Sequence, residues 1–122
     1  MGLFQCEIYS EELEKNTTFI VVRPEAPSFE QQEKKAVSYP VKYLLHGPGE
    51  NCRKWFWEAP LEKISNEKQI VLVLPDGANS DFKNKAGIGN YENYVKKELP
   101  EIVSRYFGVS AEGEICYGID SL

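Results

Sequence analysis

The sequence predicts an α/β fold in which a β-hairpin leads into a partly parallel sheet with flanking helices. Three observations predict it. Residues 3–9 alternate Phe4, Cys6 and Ile8 against Gln5, Glu7 and Tyr9, the period of a half-buried strand. Residues 41–45 and 70–74 are continuous aliphatic runs, which suit strands covered on both faces. Residues 91–107 carry one apolar stripe at helical spacing: Tyr91, Tyr94, Val95, Leu99, Ile102, Val103, Tyr106 and Phe107.

Each element follows in turn. Residues 10–16 are polar and turn-like, and residues 17–23 (TTFIVVR) are β-branched and aromatic until Pro24, which has no N–H for a ladder. The two runs make an antiparallel hairpin. Residues 24–38 are polar with two prolines, so an exposed loop is expected. Between the two aliphatic strands, residues 54–66 place Trp57, Leu61 and Ile64 at helical spacing, with Pro60 near the first turn. The helix over 91–107 has Asn90 as its expected N-cap and Gly108 as its expected C′ residue. Pro100 should kink it or split it in two. Residues 114–117 form a last short strand, completing a βαβαβ order behind the hairpin.

Composition narrows the function. The 122 residues include 19 acidic and 14 basic side chains, a net charge of −5, which disfavours nucleic acid as a partner. Cys6, Cys52 and Cys116 fit neither a zinc pattern nor a disulfide framework, and a reduced, cytoplasmic setting is the simplest reading. No run approaches the ~20 apolar residues of a membrane span. No G-x-G-x-x-G or P-loop follows a strand, which disfavours a flavodoxin-like or dinucleotide-binding domain; no cofactor is expected, and with no zinc pattern in the cysteines no metal is expected. His46 is the one histidine, so any free catalytic imidazole would have to be that residue.

Four segments in order carry a resemblance: YLLHGPGENCRKW (43–55), VLVLPDGANSDF (71–82), NYENYVKKELPEIVSRYFGVS (90–110) and ICYGIDSL (115–122). Together they resemble the first half of a serine esterase of the α/β-hydrolase fold, in the group of tributyrin esterases and S-formylglutathione-hydrolase-like enzymes. The resemblance covers about residues 17–122. It implies that residues 1–122 are the amino-terminal portion of one such domain, ending at the nucleophile elbow. The implied reaction is hydrolysis of short-chain acyl esters through an acyl-serine intermediate in the complete domain.

The resemblance also assigns residues. The loop Gly47, Pro48 and Gly49 takes the place of the oxyanion hole, where glycine lets the backbone approach a substrate carbonyl. Pro48 stands where the family supplies the donor and has no N–H, so either Gly49 provides the donor instead or the hole is damaged. Ser121 matches the family's serine if Ser121-Leu122 opens the Ser-Leu-Gly-Gly run. In the other register Asp120 takes the nucleophile place. The triad order is nucleophile, acid, histidine, so His46 lies upstream of where a catalytic base belongs and is read as a structural residue. Asp76 and Asp81 read as turn formers rather than paired carboxylates. Trp55, Phe56 and Trp57 suit either an acyl pocket or helix burial.

On this reading the triad acid and histidine lie beyond Leu122, and the chain as given is expected to be inactive. Its partner is a small-molecule acyl ester in the complete domain, with neither nucleic acid nor membrane. Half an α/β-hydrolase sheet leaves an exposed edge, so self-association through that edge is expected. The other reading left open is a non-catalytic α/β module that kept the fold for binding.

Overall fold

A computed structural model of the chain describes residues 2–24, 39–47, 49–78 and 80–122. The loop expected over 24–38 lies outside the described residues from 25 onward, as does Pro48. The first two strands, β1 (Gly2–Ser10) and β2 (Lys15–Arg23), form the expected antiparallel hairpin, in register from Gly2 opposite Arg23 to Ser10 opposite Lys15. β3 (Val41–Leu44) and β4 (Val71–Pro75) run parallel to each other, and β2 pairs antiparallel with β4. Two short strands, β5 (Asn84–Lys85) and β6 (Gly89–Asn90), make a separate small hairpin. β7 (Glu114–Cys116) pairs parallel with β3, giving the sheet order β1-β2-β4-β3-β7.

The continuous aliphatic runs are explained by two buried faces. On one face Phe19, Val21, Val41, Tyr43, Val71 and Val73 pack against Tyr91, Tyr94, Leu99 and Val103. On the other, Ile20, Val22, Leu44, Leu72 and Leu74 pack against Trp55 and Leu61. Successive residues of one strand thus serve opposite cores.

The helices correct several expectations. The single helix expected over 54–66 is two: α1 (Lys54–Glu58) and α2 (Leu61–Lys68). Ala59 precedes Pro60 and is extended at φ −152°, ψ 151°, because the proline ring disfavours helical backbone in the residue before it. Trp57, expected on the inner stripe, is 90% exposed, whereas Trp55 is buried. In so short a helix the two indoles point about 200° apart, so only one can face the sheet.

The run over 91–107 stays helical but changes winding: α3 (Tyr91–Asn93), a π-helical stretch Tyr94–Glu98, then α4 (Leu99–Phe107). Pro100 has no N–H to return to the preceding turn, and it neither breaks the helix nor ends it. The Leu99 N–H reaches back to the Tyr94 carbonyl, a π-type bond that accommodates the proline at the start of α4. Asn90 makes no side-chain cap; instead Asn84 Oδ1 accepts from the N–H groups of Glu92 and Asn93 at 3.1 and 3.3 Å. Tyr106, expected on the stripe, is exposed and borders an open groove between β1 and α4 together with Ile8, Tyr9 and Ile102. Gly108 closes α4 as expected, at φ +66°, its N–H donating to the Ser104 carbonyl.

Candidate active site

The parallel strands β3, β4 and β7 send their carboxyl ends to one edge of the sheet, the edge at which α/β proteins bind ligands. The Leu45 N–H donates to the Cys116 carbonyl at 3.0 Å, so the chain leaving β3 and the chain leaving β7 start side by side. His46 follows at once and is buried.

His46 ties two of these strand ends together. Its Nδ1 lies 2.8 Å from the Gly47 carbonyl, and its Nε2 accepts the Gly77 N–H at 2.9 Å. These partners define the neutral ring with its proton on Nδ1. Asp76 Oδ1 stands 3.5 Å from the same Nε2 and also accepts the Ala78 N–H at 3.1 Å. Burial pushes the imidazole pKa down. The Asp76 carboxylate, the Gly47 carbonyl and Glu50 pull it up further, leaving it above the ordinary value. The same contact with His46 holds the Asp76 carboxyl below its ordinary range, against its burial. The structural role read for His46 fits this geometry, because both ring nitrogens are engaged with backbone.

The turn after β4 is built around Gly77. A Cβ there would lie 2.5 Å from the Phe82 ring, whose centroid is 5.0 Å from that of His46. Buried Ser80 donates through Oγ to the Gly77 carbonyl at 2.6 Å and accepts the Phe82 N–H at 3.0 Å. Ala78, Asp81 and Phe82 all hold positive φ of 50–55°. Asp76 makes the backbone bond that the turn reading expects, whereas Asp81 pairs outward with Lys83 at 3.6 Å.

The turn after β3 is held by an acid the sequence does not advertise. Glu50 Oε1 accepts the Gly47 N–H at 2.8 Å, and the Glu50 N–H donates to the Gly47 carbonyl at 3.2 Å. Glu50 Oε2 lies 3.0 Å from Lys54 Nζ, which keeps the Glu50 carboxyl below its ordinary pKa. Gly49 holds φ +77°, a conformation glycine adopts freely.

At the carboxyl end, Gly118 is extended and residues Ile119–Ser121 form a 3₁₀ turn. Asp120 and Ser121 are both exposed and neither has positive φ. The Ser121 carbonyl accepts from Lys42 Nζ at 3.3 Å, and Cys116 Sγ lies 3.8 Å away, so the turn folds back beside β3. The structure thus gathers His46, Gly47, Glu50, Asp76 and Gly77 into one bonded cluster, and sets Asp120 and Ser121 on a separate turn. Trp55 is a core residue and Phe56 packs beside it, while Trp57 faces solvent. Burial raises the pKa of all three thiols, and none pairs with another. Among the described residues, no group of three or more His, Cys, Asp or Glu could hold a metal, and no helix is long and apolar enough to cross a membrane.

No protein-family profile matches the chain. An acetyl esterase of Caldicellulosiruptor saccharolyticus is 28% identical over 117 residues, covering 93% of this chain and 44% of that protein. Among solved structures, FphF, a fluorophosphonate-binding serine hydrolase of Staphylococcus aureus, superposes with TM-score 0.79 at 21% identity, over 89% of this chain and 42% of that one. The S-formylglutathione hydrolase FrmB of the same species gives TM-score 0.74 at 21% identity, with the same coverage.

The fold is that of the α/β-hydrolase esterases. The chain spans less than half the length of these relatives, so it carries part of that fold. Within the α/β-hydrolase fold, the turns after β3 and β4 and the run after β7 are the loops at the ligand-binding edge.

Proposed function

We propose that the chain is the amino-terminal portion of a carboxylic-ester hydrolase domain. In the complete domain, short-chain acyl esters are hydrolysed through an acyl-serine intermediate. Ser121 is the nucleophile, with Asp120 as the alternative, and the loop of Gly47, Pro48 and Gly49 carries the oxyanion donor. The observation that carries this reading is the bond from the Leu45 N–H to the Cys116 carbonyl. It starts the glycine loop and the Gly118–Leu122 run from adjacent strand ends, as attack and oxyanion stabilisation on one carbonyl require.

The chemistry is divided between what this chain holds and what it leaves to the rest of the domain. Attack by Ser121 on an acyl carbon needs a base to take the hydroxyl proton. His46 is not that base, since Nδ1 faces the Gly47 carbonyl and Nε2 receives the Gly77 N–H. The base and the acid that orients it therefore belong to the missing part of the domain. Without them the 122-residue chain forms no acyl-enzyme. A fluorophosphonate, which labels only an activated serine, tests this. The chain alone should remain unlabelled. The chain fused to the remaining part of an esterase domain should be labelled on the peptide containing Ser121. Labelling of any other serine, or of the chain alone, would refute the assignment.

A further inference from the structure

Among the described residues β1 is an edge strand, and it carries the exposed apolar side chains Leu3, Phe4 and Tyr9. Two exposed charges stand beside them. Glu7 lies on β1 itself, and Arg53, just ahead of α1, donates through Nη2 to the Gln5 side-chain carbonyl. Gln5 and Glu7 lie opposite Ile20 and Thr18 in the hairpin, so both project on the face that Ile20 shares with Trp55. Gln5 therefore holds the Arg53 guanidinium at the edge strand, two residues from Glu7. Among the described residues, neither Glu7 nor Arg53 belongs to an ion pair.

We infer that β1 is a docking edge for a second copy of this chain, the two β1 strands pairing antiparallel about a two-fold axis at Cys6. Cys6 is the midpoint of Gly2–Ser10, so this register pairs all nine residues of the strand. It sets Phe4 opposite Ile8, Leu3 opposite Tyr9, and Gln5 opposite Glu7 of the other copy. The first two pairs cover the exposed apolar side chains, and such cross-strand pairs are what stabilise a sheet. The third places the Glu7 carboxylate of one copy against the guanidinium that Gln5 holds in the other. Symmetry makes that ion pair twice. Registers shifted by two residues are poorer. Centring on Glu7 opposes two like charges, and centring on Gln5 sets Leu3 against Glu7 and leaves Tyr9 outside the pairing. The edge thus carries its own complement in both apolar side chains and charge. The inference does not depend on the esterase reading.

Sedimentation velocity on the 122-residue chain and two charge reversals test it. The wild type should show a monomer–dimer equilibrium that weakens with added salt. Glu7→Lys and Arg53→Glu each turn both attractions into repulsions, so each variant alone should dimerise at least roughly tenfold more weakly. Mixed in equal amounts, the two variants should regain a dimer. In that mixed dimer the new lysine faces the new glutamate, and the native arginine faces the native glutamate. Circular dichroism reports whether each variant is folded. If either reversal unfolds the chain, Glu7→Gln and Arg53→Gln take their place, each weakening the dimer and removing most of its salt dependence. A wild type that stays monomeric would overturn the inference. So would dimers indifferent to these substitutions, or folded reversal variants that fail to pair on mixing. None of these outcomes touches Ser121, so the esterase reading stands or falls separately.

Discussion

Gly77 donates its backbone N–H to Nε2 of His46 at 2.9 Å, joining two strand ends that lie 31 residues apart in sequence. The opposite ring nitrogen faces the Gly47 carbonyl. One buried imidazole thus spaces the two loops that line the proposed site. Replacing it by alanine leaves the Gly77 N–H without its acceptor and opens a cavity beside Phe82. His46→Ala should therefore destabilise the chain by roughly 2–4 kcal/mol, read from urea unfolding. A variant as stable as wild type would show that the ring is not a structural tie.

The same ring gives a pH dependence whose sign is fixed. The His46 pKa lies above the ordinary 6.5 once burial is outweighed by Asp76, the Gly47 carbonyl and Glu50. Its contribution to stability is full below about pH 6.5 and is lost as the pH rises through the folded pKa. The Asp76 carboxyl lies below its ordinary 3.8 because of His46. Its contribution is present above about pH 3.8 and is lost as the pH falls through the folded pKa. The pair therefore stabilises most between these limits. Asp76→Asn should lower the His46 pKa and flatten the stability profile on both sides. The His46 ring protons and the Gly77 amide report the titration together, since a protonated Nε2 must give up the Gly77 bond for Asp76. An unchanged His46 pKa in Asp76→Asn would contradict the coupling.

Two glycines at strand ends should respond differently to alanine. A Cβ at Gly77 meets the Phe82 ring at 2.5–2.7 Å, and that ring is packed against His46. Gly77→Ala should destabilise the chain by roughly 1–3 kcal/mol through overpacking. A Cβ at Gly118 meets nothing within 4 Å, and the backbone there is extended. Gly118→Ala should stay within about 0.5 kcal/mol of wild type. Thermal unfolding of both variants checks the contrast, and equal effects would count against the described packing.

Much of this was legible in the sequence because it depends on pattern. The alternation of residues 3–9 and the unbroken IVLVL run gave the hairpin and the doubly covered strands, and the position of His46 relative to the expected nucleophile gave its structural role. The features that were not legible depend on single side chains reaching backbone outside their own element. Glu50 captures the N–H three residues before it, and Asn84 caps a helix from across a hairpin, and neither leaves a periodic trace. Pro100 signals disruption, yet the π-type pairing of Leu99 with Tyr94 absorbs it. Trp57 counts as apolar in any tally, but the five-residue length of α1 leaves it facing water.

The sheet predicts association. Among the described residues, β1 forms one edge and β7 the other. Leu3 and Phe4 on β1 are 42% and 43% exposed, and Tyr117 after β7 is 74% exposed. Unpaired strand edges beside exposed apolar side chains template pairing with another chain. Sedimentation velocity on the 122-residue chain should show dimers or larger species, with binding of a hydrophobic dye. A cooperative, dye-negative monomer over a wide concentration range would contradict it.

Hydrolysis of p-nitrophenyl acetate tests the proposed division of labour most directly. The 122-residue chain should give no turnover above background, because the one histidine, His46, is engaged through both ring nitrogens with backbone groups. Fused to the remaining part of an esterase domain, it should hydrolyse the ester, and Ser121→Ala should return the rate to background. Turnover by the chain alone that disappears in His46→Ala would contradict the account. So would a completed domain that loses activity in Asp120→Ala and keeps it in Ser121→Ala.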